Sequence, residues 1–487
     1  MSAQGSDIVK YDMFIDGKWR KATSGRVLKT TNPFTGKFYA EIEDADADDV
    51  AVAVSAARAA FDHGPWGKST ARERAILMER LAGLMRRDAE KLAAIECREN
   101  GKVLSQMIPQ WQYMPEWMTY YAGLADKIEG STIPSDRPNF MIYTRKEPAG
   151  VVGSITPWNS PGFLLIYKLA PAFAAGCTFV LKPSEYAPST ALEIAKLIEE
   201  AGFPAGVFNV VTGGPESGKA LVASPDVDRI AFTGSVNVGK AVAVAAADNL
   251  TNVLLELGGK SPNIIFDDCD LDVAVDGIIG GIYAANGQSC MVGSRLLVQR
   301  TIVDRLLEKV VARMKAAKLG DPFDPKTDIG PLANTNQFNK VKGMIERAVS
   351  DGAKLACGGP APEVGPLFYR PSILVDAKLD MEVIKEEIFG PVTAIIPFDT
   401  EEEAIAIAND SRFGLAAAVF SLNVHRCHRV AHAIRAGTVW INSYRIVSYL
   451  APFGGWKISG IGRENGLAAV DEYLEQKTVW VEMSGKS

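Results

Sequence analysis

Five short apolar runs decide the fold: V-V-G-S-I-T at Val151 to Thr156, T-F-V-L-K at Thr178 to Lys182, V-F-N-V-V at Val207 to Val211, R-I-A-F at Arg229 to Phe232 and V-L-L-E-L at Val253 to Leu257. Between them lie stretches with apolar residues at three- and four-residue spacing: Phe163 to Ala174, Ser189 to Ala201, Gly218 to Ala223 and Val238 to Ala246. Runs too short for helices, alternating with helical patterns, predict a parallel sheet covered on both faces, a doubly wound α/β domain. A second cycle starts after Gly259, with strands at Asn263 to Phe266 and Arg295 to Gln299 and helices from Leu271 and from Val303 to Ala317, and continues to about Ser459. Upstream, Ala45 to Glu99 has helical periodicity, as in Val50, Val54, Ala57 and Phe61, and Ile142 to Pro148 alternates like a strand.

The 487 residues exceed what one core serves, and about 150 residues per domain suggests about three units. Lys plus Arg number 52 against 58 Asp plus Glu, a formal charge of −6. No basic excess draws phosphate backbones, so nucleic acid and anionic membrane are poor partners. The first twenty residues mix Asp7, Lys10, Asp12, Asp16 and Lys18 among apolar ones, unlike a secretion signal, and Leu164 to Ala175 is too short to span a bilayer and is broken by Lys168. Six scattered cysteines without a C-x-x-C pair suit a reducing, cytoplasmic compartment.

Two stretches invite other readings. Thr212 to Ala220, T-G-G-P-E-S-G-K-A, has the glycine spacing of a phosphate loop, but Ala220 lacks the hydroxyl that would hold a metal and Glu216 would oppose phosphate, so a strand-to-helix turn is expected. His425, Cys427, His428 and His432 cluster beside Arg426, Arg429 and Arg435, which would repel a cation; a solvated helix is expected and no metal site.

Four distant segments carry chemistry. In G-Q-S-C-M-V-G-S-R, Gly287 to Arg295, glycines and serines bracket Cys290, which suits a tight backbone at a nucleophile better than a packed helix. In L-E-L-G-G-K-S-P, Leu255 to Pro262, Glu256 stands at the carboxyl end of a strand, where a partly desolvated carboxylate can act as a base. In T-P-W-N-S-P, Thr156 to Pro161, Asn159 offers amide donors to a developing oxyanion, a role worth roughly 3 kcal/mol. In E-E-I-F-G-P-V, Glu386 to Val392, Glu387 supplies a hydroxyl acceptor and Phe389 a stacking surface. Alone, these would read as a core thiol, a capping carboxylate, a turn asparagine and an ordinary loop.

In this order and spacing, with N-P-F-T-G-K at Asn32 to Lys37, L-K-P-S-E at Leu181 to Glu185, F-T-G-S at Phe232 to Ser235 and P-F-G-G-W-K-I-S-G-I-G-R-E at Pro452 to Glu464, the motifs resemble the aldehyde dehydrogenase superfamily over essentially the whole chain, most of all its broad bacterial branch. The resemblance implies a Rossmann-like cofactor domain over 1–127 and 148–258, a catalytic domain over 259–459, and a β arm from 128–147 and 466–487 that joins subunits into a homo-oligomer, dimer or tetramer. It implies that Cys290 attacks the aldehyde, that Asn159 and the Cys290 main-chain N–H hold the oxyanion, that Glu256 activates the water hydrolysing a thioester, and that Lys168 and Glu464 relay its proton. For the cofactor it implies Thr156, Pro157, Trp158, Lys182, Ser184, Glu185, Gly214, Phe232, Gly234, Ser235, Leu257, Glu387 and Phe389.

The usual G-x-G-x-x-G is absent; Gly234 to Gly239 has one glycine fewer, so a serine hydroxyl and a helix N-terminus would meet the phosphates. Glu185 would repel a 2′-phosphate, so NAD is expected over NADP. Trp117, Ser160, Phe163, Tyr167, Met291 and Phe453 are the expected substrate wall, which suggests a medium-sized aliphatic or aromatic aldehyde. Arg445 opens a semialdehyde alternative by meeting a substrate carboxylate, although a structural salt bridge is its ordinary fate. A coenzyme A-acylating enzyme would not need Glu256, and a non-catalytic relative would not need both Glu256 and Cys290.

Overall fold

The computed structural model describes residues 8–485; Asp7 and the last two residues assigned to the arm lie outside the described residues. Its centre is two packed α/β sheets. In the first, five parallel strands run Asn252–Glu256, Arg229–Thr233, Val151–Thr156, Thr178–Pro183, Phe208–Val210 across the sheet. Numbered along the chain this is the order 5-4-1-2-3, which reverses between the first and fourth strands and opens a crevice at their carboxyl ends. The strands are apolar at nearly every position because helices cover both faces. Thus Phe179, Ala231 and Leu254 pack to one side with Leu165 and Phe173, while Val180, Ile230 and Leu255 pack to the other with Val54 and Val242.

The parallel strands of the first sheet are flanked on both sides by antiparallel ones. Met13–Ile15 and Lys18–Arg20 extend one side of the first sheet, and Gly460–Ile461 pairs antiparallel with Asn252–Glu256 on the other. An additional three-stranded sheet of Val9–Tyr11, Phe38–Glu43 and Val27–Thr31 precedes the helices.

The second sheet has the order Lys354–Pro360, Tyr369–Val375, Val392–Phe398, Arg295–Gln299, Pro262–Ile265, Ala416–Phe420, Thr438–Ile441, with only the first strand antiparallel. Its alternate residues again divide between two cores, Ile264 with Leu297 and Ile396, and Ile265 with Val298 and Ile395. The third unit is an outlying antiparallel sheet in which Phe140–Pro148 lies between Leu474–Glu482 and Thr132–Ile133. No helix among the described residues is long and apolar enough to cross a membrane.

Local rules place the elements that matter. The helix Pro161–Ala175 starts with proline, whose missing N–H costs nothing there, and stops at Gly176 in the left-handed region, φ 100°. The helix Val236–Ala247 is capped by Ser235, whose Oγ accepts from the Val238 N–H at 3.4 Å. At the phosphate-loop look-alike, Lys219 pairs on the surface with Glu216 at 2.7 Å. His425, His428 and His432 are exposed on the helix Val424–Ala433 while Cys427 points into the core.

Candidate active site

The crevice of the first sheet is a cleft of about 160 Å³ lined at the carboxyl ends of the first and fourth strands, by Pro157, Trp158 and Asn159 on one side and Thr233, Gly234 and Ser235 on the other. Leu257, Glu387 and Phe389 also line it, and Cys290 stands in its wall. A second cavity, of about 460 Å³, is lined by Ser160, Phe163, Tyr167, Met291, Arg445 and Phe453 among others. Asn159, Leu164 and Cys290 belong to both walls, so the thiol stands where the two spaces meet.

Cys290 is held there by a strained loop. Ala285, Asn286 and Gly287 all adopt positive φ, 54°, 54° and 72°. Each such non-glycine residue costs on the order of 1–3 kcal/mol, so the surroundings must fix it. Asn286 does so with three bonds: its Nδ2 donates to the carbonyls of Gly101 and Pro331 at 2.8 and 3.0 Å, and its Oδ1 accepts from Gly330 at 2.9 Å. At Gly287 a Cβ would fall 2.2 Å from the Gly390 carbonyl carbon, so glycine is required. Gln288 anchors the next step, its Oε1 accepting from Ala333 at 2.9 Å and its carbonyl accepting from Asn159 Nδ2 at 3.0 Å. This loop lies before the strand Arg295–Gln299, and Glu387 and Phe389 lie before Val392–Phe398. The second sheet therefore meets the cleft with its amino ends, and the first with its carboxyl ends.

Glu256 lies behind these walls. Its carboxylate is buried, and Oε1 has no hydrogen-bond partner. Burial, reinforced by Glu464, holds its carboxyl well above the ordinary range, and Lys168 opposes the shift. Lys168, fully buried, is bonded to Glu464 and donates to Thr233 Oγ1 at 2.5 Å, so the chain of polar groups behind Glu256 ends on a residue of the cleft wall. Burial also pushes the Cys290 thiol up to about 12, with Glu256 and Glu387 adding and Arg445 opposing.

The cleft fits a dinucleotide on this structure's own features. It lies at the strand-order reversal, and the capped N-terminus of Val236–Ala247 adjoins it at Ser235. Trp158 and Phe389 meet edge to face at 5.4 Å as an aromatic boundary. Glu387 accepts the Gly259 N–H on Oε1 at 3.1 Å, and a Cβ on Gly258 would collide with its other oxygen at 2.4 Å. Thr156 is buried at the end of the first strand, paired in register with Pro183. Lys182, Ser184 and Glu185 lie at the end of that neighbouring strand, away from Cys290; Lys182 Nζ meets Glu185 Oε2 at 3.4 Å, and Ser184 Oγ accepts from Tyr186. Gly214 precedes the helix Pro215–Ala223, its N–H donated to Asp44 at 3.2 Å.

Two residues stand elsewhere than the sequence suggests, and a third, Arg445, lines the cavity as one of its two readings expects. Phe232 is buried beneath Gly234 rather than on the cleft wall, and a Cβ on that glycine would strike its ring at 2.5 Å. Trp117 is one layer behind the second cavity, stacked on Tyr167 at 5.1 Å with its indole N–H donated to Asn465 at 2.7 Å. Arg445 forms no salt bridge with any described residue, against its ordinary fate, because its guanidinium lies at the cavity wall. Gln337 and Lys340, from the helix Thr335–Ser350, line the first space, and Tyr113, Gln110 and Val447 the second, with no motif to mark them. All six cysteines are unpaired, and no metal-holding group of His, Cys, Asp and Glu occurs among the described residues.

Residues 19–479 match the family model described as Aldehyde dehydrogenase family. The chain is 47% identical over 477 residues to the (Z)-2-((N-methylformamido)methylene)-5-hydroxybutyrolactone dehydrogenase of Acinetobacter baylyi, covering 98% of this chain and 97% of that one. It is 45% identical to the mitochondrial aldehyde dehydrogenase of Homo sapiens, over 99% of this chain and 94% of that one. Among solved structures, betaine aldehyde dehydrogenase of Staphylococcus aureus in complex with NAD+ superposes with a TM-score of 0.96 at 39% identity, covering 98% and 96% of the two chains.

Proposed function

The chain belongs to the aldehyde dehydrogenase family, and from that premise we propose that it oxidises a medium-sized aldehyde to the free carboxylic acid through a thioester on Cys290, with NAD as cofactor. The observation that carries this reading is the position of Cys290 and Asn159 on the shared wall of the two cavities. A carbonyl carbon entering from the aromatic cavity meets Sγ there, and the hydrogen on that carbon is left facing the cleft.

Cys290 gives up its thiol proton to water, Sγ forms the bond to the carbonyl carbon, and the carbonyl oxygen takes up the electron pair of the broken π bond as an oxyanion. Asn159 has one amide N–H committed to Gln288 and a second for that oxygen, together with the Cys290 main-chain N–H. Bound NAD supplies the hydride acceptor. Glu387, Phe389, Ser235 and Leu257 would hold it in the cleft, with Lys182 and Glu185 at its ribose. Glu256 takes a proton from the water whose oxygen replaces sulfur on the acyl carbon, and the raised affinity of its buried carboxylate for protons suits that task. Lining neither cavity, its side chain must swing forward to do so, and the bonds of Lys168 to Glu464 and Thr233 support a route by which the proton leaves. A hydrolytic base favours release of the free acid over transfer to coenzyme A.

The wall formed by Tyr113, Phe163, Tyr167 and Phe453 supports a largely apolar or aromatic substrate body. Glu185 favours NAD over NADP, and six unpaired cysteines favour a reducing, cytoplasmic setting. The exposed β arm favours a homo-oligomer. A substrate screen following NADH absorbance, repeated with NADP and with Cys290→Ala as the blank, tests the reading; turnover that survives loss of the thiol would refute it.

A further inference from the structure

Among the residues of the substrate cavity Arg445 is the one cation. Its backbone is held in the left-handed region, φ 63°, which costs energy for a side chain of this size. Both neighbours are pinned to keep it there: Tyr444 donates its hydroxyl to the Met291 carbonyl at 2.6 Å, and the Ile446 carbonyl accepts from Trp440 Nε1 at 2.9 Å. The guanidinium makes a single long bond, Nη2 to Ser289 Oγ at 3.4 Å, while Nε and Nη1 are buried with no partner.

A buried structural arginine in the same protein looks different. Arg295 donates Nε to Lys260, Nη1 to Ile407 and Nη2 to Ala408, all carbonyls, at 3.0, 3.0 and 2.9 Å. Leaving donors of a charged group unmet in a desolvated place is costly, and no carboxylate among the described residues pairs with Arg445. A second donor stands on the same wall. Ser160 Oγ accepts from the buried Lys102 Nζ at 2.7 Å, which leaves the hydroxyl proton free to be donated into the cavity.

We infer that Arg445 is a specificity-determining residue that receives a carboxylate carried by the substrate, so that the substrate class is an aldehyde bearing an acid group on an apolar or aromatic body. The inference rests on the aldehyde-oxidising reading above and sharpens it. The planar fork of guanidinium donors matches the two oxygens of a carboxylate, and the surrounding rings cover the carbon between the two functional groups. Ser289 precedes the nucleophile, so the acid group sits close to the reacting end of the cavity.

The test is the ratio of kcat/KM within matched pairs, succinic semialdehyde against pentanal and 4-carboxybenzaldehyde against 4-methylbenzaldehyde, for the full chain with NAD. The acid member of at least one pair is favoured, and Arg445→Gln lowers that ratio by about 10- to 100-fold, the loss expected for hydrogen bonds to a charged group. Arg445→Lys restores part of it. A ratio at or below one in both pairs overturns the inference. So does a ratio that Arg445→Gln leaves unchanged because both members fall together, since Arg445 would then act on the Cys290 sulfur. If no aldehyde is oxidised, the proposed function itself fails. Arg445 is then judged by calorimetry, in which glutarate must bind the wild type more tightly than Arg445→Gln, and equal binding overturns the assignment.

Discussion

Asn159 donates its side-chain amide to the main-chain carbonyl of Gln288, 3.0 Å away and two residues before the nucleophile. The amide plane is thereby fixed before any substrate arrives, with its remaining N–H free, and donors oriented in advance are the ones that stabilise developing charge. Asn159→Ala should lower kcat by about 10²- to 10³-fold, leaving the far-ultraviolet circular dichroism unchanged. A loss below tenfold would remove Asn159 from the oxyanion site.

Cys290 lines both cavities and Glu256 neither, and in the proposed reaction acylation of the thiol precedes hydrolysis. Glu256→Gln keeps the size of the side chain but removes the base, and Cys290 should still be acylated once. Rapid mixing should show a burst of NADH followed by a steady rate reduced by about 10²-fold or more, the range for loss of a general base. Intact mass spectrometry should find the acyl adduct on Cys290. Undiminished steady turnover would place the base elsewhere.

The acidity of the two groups sets the pH response. The Cys290 thiol is raised to about 12, chiefly by burial, so its anion is scarce at neutral pH and becomes more abundant as pH rises. Alkylation of the cofactor-free protein at Cys290 by iodoacetamide should therefore climb roughly tenfold per pH unit from 7 to 9 without levelling. The Glu256 carboxyl is shifted the same way, so hydrolysis gains from rising pH and is lost as pH falls through its raised pKa. A plateau in alkylation near pH 8 would mean that the free protein already activates the thiol.

The central strands are legible in the sequence because each is a continuous apolar run bounded by glycine, proline or a helical pattern, and Val151–Thr156 and Arg295–Gln299 begin and end as read. The edges are not, since three-residue strands such as Met13–Ile15 take their conformation from a neighbour and carry no period of their own. Motif order singles out Cys290 and Asn159, which share a cavity wall, and Glu256 at a strand end, but the meeting of one sheet's amino ends with the other's carboxyl ends is a tertiary fact. Gln337 and Lys340 lie on an amphipathic helix with nothing local to single them out. Trp117 is misplaced by one layer because its indole N–H finds Asn465, a partner 348 positions away. Arg445 lines the cavity as its place before P-F-G-G suggests, and it departs only from the salt bridge usual for an arginine, because the pinned loop that encloses it is invisible in composition.

Among the described residues the strand Leu474–Glu482 is paired on one side only, along all nine of its positions, with Phe140–Pro148. Its other edge carries unpaired backbone donors and acceptors, and Trp480 on it is 52% exposed, with Met141 and Ile133 exposed on the same small sheet. A long, partly apolar edge strand is a template for pairing and is rarely left open in a folded protein. The arm should therefore be covered by a second copy of the chain, giving a dimer or a dimer of dimers in multi-angle light scattering. Trp480→Asp puts a charge on the edge without touching either cavity, and should shift the distribution toward smaller species while the isolated subunit stays folded. A monomer for the unaltered chain at micromolar concentration would refute the assembly, and an unchanged mass for Trp480→Asp would place the interface on another face.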